Sequence, residues 1–68
     1  MRLTLTTLEL RILKYAAEGK DIIEMAEYIK LSPKETEKLL GGVCKRLNQK
    51  KPLEALQHLG KIEFMVMD

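Results

Sequence analysis

Two helix starts written almost in full constrain this chain more than anything else in it: Asp21-Ile22-Ile23-Glu24 and Ser32-Pro33-Lys34-Glu35. In each, the first side chain is of a type that caps free backbone amides, and the glutamate three residues on can reach back to the cap residue. Pro33 fits the first turn because the N–H it lacks would be unpaired there anyway. Between the two starts, Ile22, Met25, Ala26 and Ile29 recur at i, i+3, i+4 and i+7, so a short amphipathic helix must end near Tyr28 to Lys30 and turn within about three residues into the next. Such a corner demands a helical domain.

The flanking segments carry the same periodicity. In "TTLELRILKYAAEG", Thr6 or Thr7 can cap, Leu8, Ile12 and Ala16 with Leu13 and Ala17 form an apolar stripe, and Gly19 closes the helix. Pro52 opens a last helix whose Leu53, Ala55, Leu56 and Leu59 face one way up to Gly60. The tail "KIEFMVMD" alternates Ile62, Phe64 and Val66 with Glu63, Met65 and Met67 and can be extended. The expectation is an all-α fold in one domain over 1–68, with helices at roughly 7–18, 22–29, 33–47 and 52–59 and an apolar tail at 61–68.

A chain of 68 residues buries only about 60% of the surface its unfolded form exposes, so its core is thin and a dimer partner would add to it. Its one cysteine, Cys44, excludes an internal disulfide, and no cysteine and histidine cluster has zinc spacing, which fits a reducing cytoplasm. Cys44 reads as an inert, partly buried thiol and His58 as a surface residue. No apolar run approaches the ~20 residues that cross a bilayer, and "MRLTLTTLEL" lacks a signal-peptide core, so the chain is expected to be soluble, unprocessed and without a membrane partner. No nucleophile with a base, carboxylate pair or glycine-rich phosphate loop can be assembled, so neither an enzyme nor a cofactor is expected.

Two short capped helices joined by "AEYIKLSPKE" match the helix-turn-helix plan, in which one helix braces the next against the major groove. The whole chain resembles the LuxR/GerE-type helix-turn-helix family. Leu5-Thr6, Ile12-Leu13, Ala17-Glu18-Gly19, Glu24-Met25-Ala26 and Ile29 stand for that family's Leu-Thr, V-L, A-x-G, E-I-A and Leu without a gap. Leu31-Ser32, Val43, Arg46-Leu47 and Ala55-Leu56 continue the pattern, which covers roughly residues 3 to 60. The resemblance implies a four-helix DNA-binding domain of transcription regulators, binding double-stranded DNA through the helix at 33–47 and often dimerising through its last helix.

The departures fall where that family meets DNA. Its T-V-K-x-H-x-x-N stands here as Glu35-Thr36-Glu37-Lys38-Leu39-Leu40-Gly41-Gly42, and Leu8 replaces an arginine of the first helix. On a helical wheel, Thr36, Leu39, Leu40, Val43 and Leu47 share one side, with Lys34, Lys38, Gly41 and Lys45 opposite. Lys34, Glu37, Lys38, Gly41 and Lys45, with the basic turn Lys50 and Lys51, are therefore the candidate DNA-binding residues. Glu37 and Gly41 take the base-approaching positions by correspondence with the family. Gly41 and Gly42 cost about 1 kcal/mol each against alanine in a helix interior, so either the helix is weak there or something approaches its backbone closely, DNA or the first helix. For a homodimer, Leu53, Leu56, Leu59 and Phe64 are the candidate interface. The alternative reading is an anti-activator type of protein-interaction module with little DNA affinity, which binds another regulator protein.

Overall fold

A computed structural model describes residues 3–68, so Met1 and Arg2 of the expected domain lie outside the described residues. The element order is β1 (Leu3–Thr6), α1 (Thr7–Ala17), α2 (Ile22–Ile29), α3 (Pro33–Arg46), α4 (Pro52–Leu59) and β2 (Phe64–Met67).

Local chemistry sets the helix ends. Thr6 caps α1 by accepting from the Glu9 amide at 3.0 Å, and Glu9 Oε1 accepts from the Thr6 amide at 2.8 Å, a reciprocal box. Ser32 and Glu35 form the same box at the start of α3. At α2 only half of the expected box exists: Asp21 accepts from the Glu24 amide at 2.9 Å, and Glu24 does not cap in return. The C-terminal ends of α1 and α3 close alike. Gly19 (φ 93°) and Asn48 (φ 57°) take left-handed backbone, while the following amides, of Lys20 and Gln49, donate back to the carbonyls of Tyr15 and Cys44. Lys30 makes the α2–α3 corner at φ 60°, ψ 42°.

α1 divides the core. Leu13 joins Leu5, Val43, Cys44, Leu47, Ala55 and Leu59 on one side, while Ile12, one position earlier and about 100° round the helix, packs with Met25 and Ile29 on the other. Leu40 of α3 touches both groups. Leu10, which fits no sequence stripe, is half-buried against the Leu13 group.

The all-α expectation needs correction, because β1 and β2 form a two-stranded parallel sheet with Leu3 opposite Phe64 and Leu5 opposite Val66. Parallel strands require a long crossover, and here the four helices supply it. Leu3, Leu5 and Phe64 turn inward onto the core, whereas Met65 and Met67 share the outer face with their register partners Thr4 and Thr6. The sheet also corrects part of the expected dimer surface. α4 lies along α1 and the tail folds back, so Leu59 is 3% exposed within its own chain, and Leu56 and Phe64 pack on the same core. Of that set only Leu53, at 52%, stands in solvent.

Candidate functional site

α3 docks through its apolar side. Thr36 and Val43 are fully buried and Cys44 and Leu47 nearly so, with Leu39 and Leu40 half-buried against α1 and α2. Thr36 is a polar residue in this seam, and its hydroxyl is satisfied by donating to the Ser32 carbonyl at 2.8 Å. Burial pushes the Cys44 thiol above its ordinary pKa, which keeps it protonated despite the neighbouring Lys45 and Arg46.

The opposite side of α3 is open. Lys34, Glu37, Lys38, Gly41, Gly42 and Lys45 are all exposed, as are Lys50 and Lys51 in the turn before α4. Among the described residues none of these charges sits in an ion pair, so each remains able to meet a ligand. Glu35 is engaged locally: its carboxylate takes the Ser32 hydroxyl at 2.9 Å, and its place in the first turn suits the helix dipole. The free charges on the outward face of α3 are thus three lysines against Glu37.

Among the described residues, nothing packs where a side chain of Gly41 or Gly42 would stand. A Cβ built at either meets nothing within 4 Å. Close approach by α1 is therefore excluded as their reason, and the space they open lies outside the molecule.

Arg46 carries a role that sequence reasoning missed. Its guanidinium pairs with Glu9 Oε2 at 2.8 Å and donates to the Thr4 carbonyl, tying the end of α3 to α1 and β1. It is thereby withdrawn from the open face. The signal available in the sequence was Glu9 at the third position of a capped helix, with one carboxylate oxygen left over after capping. A second unanticipated feature lies across α1 and α2, where the Tyr15 and Tyr28 rings pack at 5.2 Å and Arg11 stands 5.9 Å from the Tyr15 centroid.

Among the described residues no cluster of three histidine, cysteine or acidic side chains is placed to hold a metal, and no helix is long and apolar enough to cross a membrane. Compared with known protein families, with curated proteins and with solved structures, the chain matches none.

Proposed function

We propose that this protein is a DNA-binding transcription regulator of the LuxR/GerE type that presents α3 as its recognition helix and acts as a homodimer. The observation that carries the reading is the uncovered, net positive face of α3, with Lys34, Lys38 and Lys45 in no ion pair among the described residues and set around a glycine step that leaves room outside the helix. A helix of 14 residues is about 21 Å long, and a major groove about 12 Å wide admits it. The tight α2–α3 corner and the capping box at Ser32 support the reading by holding that helix rigidly. Lysines on such a face meet phosphate, while Glu37 at the base-approaching position suits the amino group of cytosine.

A second reading has its own support: Ile23, Tyr28 and Leu53 are 61%, 47% and 52% exposed, which suits a module that binds another regulator protein. Glu37→Lys separates the two. On the DNA reading it raises non-specific affinity for duplex DNA and steepens the salt dependence by about one for each further phosphate neutralised, while Lys38→Ala lowers both. On the protein reading, with the acidic flank of α3 at Glu35 and Glu37 as part of the surface that binds the partner, it weakens that partner and leaves DNA binding unchanged. Titration of mixed duplex DNA over a salt series, with circular dichroism to confirm folding, measures this. Affinities unaltered in both variants would sink the DNA reading.

A further inference from the structure

We infer that Arg46 is a positioning residue for the lysine face of α3: held between Glu9 and the Thr4 carbonyl, it fixes how the C-terminal half of the helix, and with it Lys45, stands toward DNA, and it meets no phosphate itself. The inference rests on the DNA reading above and not on the homodimer.

The two ends of α3 are fixed by different means. At the N-terminal end, the Ser32 box and the α2–α3 corner hold Lys34 and Lys38. Gly41 and Gly42 follow, and glycine is the weakest helix former after proline, so the N-terminal anchor does not by itself set the far end. Lys45 lies beyond that step, seven positions from Lys38 and about 10 Å along the axis. Burial of Val43 and Leu47 decides which side of this half faces inward. Burial is non-directional, however, and leaves roll and slide open. A directional contact is needed, and Arg46, next to Lys45, supplies it.

Both acceptors that receive the guanidinium are themselves held. Glu9 Oε2 takes Nη1 at 2.8 Å, Glu9 Oε1 takes the Thr6 amide at 2.8 Å, and the Glu9 amide donates to Thr6 Oγ1 at 3.0 Å. The carboxylate therefore cannot swing away without breaking the α1 cap. The Thr4 carbonyl, which takes Nη2, belongs to β1, where Thr4 is in register with Met65 of β2. A planar fork seated on two fixed acceptors is pre-organised in a way that a lysine ammonium is not. The sign of the charge effect separates position from contact. Were Arg46 a phosphate contact, Glu9→Gln would free it and remove a negative charge, and affinity for DNA would rise. A positioning Arg46 needs Glu9, so the same substitution lowers affinity although the net charge becomes more positive.

Titration of mixed duplex DNA over a salt series tests this, with circular dichroism and the urea midpoint defining conditions in which each variant is folded. Glu9→Gln is expected to weaken binding about threefold or more and to flatten the salt dependence by about one, as Lys45 loses its phosphate. Adding Lys45→Gln to Glu9→Gln is expected to weaken binding little further, because the contact it removes is already lost. Arg46→Lys keeps the charge and loses the fork, so it is expected to weaken binding too, and it keeps the test decisive if Glu9→Gln does not fold. Folded Glu9→Gln that binds as tightly as the wild type, or more tightly, overturns the positioning role, as does Arg46→Lys at wild-type affinity. A weakened Lys38→Ala beside either result leaves the DNA reading standing. DNA binding insensitive to both Lys38→Ala and Glu37→Lys overturns the two together.

Discussion

Gly41 and Gly42 sit in mid-helix, on the solvent side, with open space where a side chain would be. Nothing inside the molecule repays their backbone freedom, so Gly41→Ala or Gly42→Ala is expected to stabilise the chain by about 0.5–1 kcal/mol, read as a raised urea midpoint. On the DNA reading the added methyl also lowers affinity, so stability and binding move in opposite directions. Glu9 behaves in the contrary manner. Burial alone pushes its carboxyl up, but the Thr6 amide and the Arg46 guanidinium together outweigh burial and hold it below the ordinary glutamate value. A depressed folded pKa stabilises fully above the unfolded pKa and is lost as pH falls through the folded one. The urea midpoint of the wild type is therefore expected to exceed that of Glu9→Gln at neutral pH, and the gap to close as the solution is acidified below about pH 4.

At the scale of elements, the helices differ in how firmly they begin. α1 and α3 carry reciprocal boxes, α2 has one capping bond, and α4 starts at Lys51 with no side-chain cap. Ser32→Ala removes the acceptor 3.1 Å from the Glu35 amide and the donor to the Glu35 carboxylate. It is expected to cost about 0.5–2 kcal/mol in a urea titration and to fray the turn that presents Lys34. An unchanged midpoint would mean that the box contributes nothing to holding α3.

For the molecule as a whole, the sheet joins the two ends of the chain and closes the core beneath it. Phe64 lies against the group that contains Leu5 and Leu13, and it is paired in register with Leu3. A fully buried phenylalanine costs about 3–5 kcal/mol when cut to alanine, so half-buried Phe64 is expected to cost about 2 kcal/mol as Phe64→Ala. The weakened strand pairing should also expose Leu3 and release Asp68 from Thr7, visible as faster amide exchange in β1. Unaltered stability would show that the tail only rests on the surface.

What was legible beforehand was local. A cap, a proline in the first turn and an i, i+3, i+4 repeat act within one or two turns, so the starts of α1, α2 and α3 stand in Thr6, Asp21 and Ser32-Pro33. The wheel likewise places Thr36 and Val43 inward and Lys34, Lys38 and Lys45 outward, because one helix with one apolar side has one way to dock. Contacts between distant residues were not legible. The tail at 61–68 can be extended on its own alternation, but its partner strand at Leu3–Thr6 is not legible until α1 packs on α4 and brings Leu3 beside Phe64. Leu59 looks available to a partner until that same packing encloses it. Arg46 looks like another cation of α3 until folding sets Glu9, 37 positions away, within 2.8 Å. Local signals need only neighbouring residues, whereas pairing, burial and charge partnership depend on which surfaces the whole chain has already brought together.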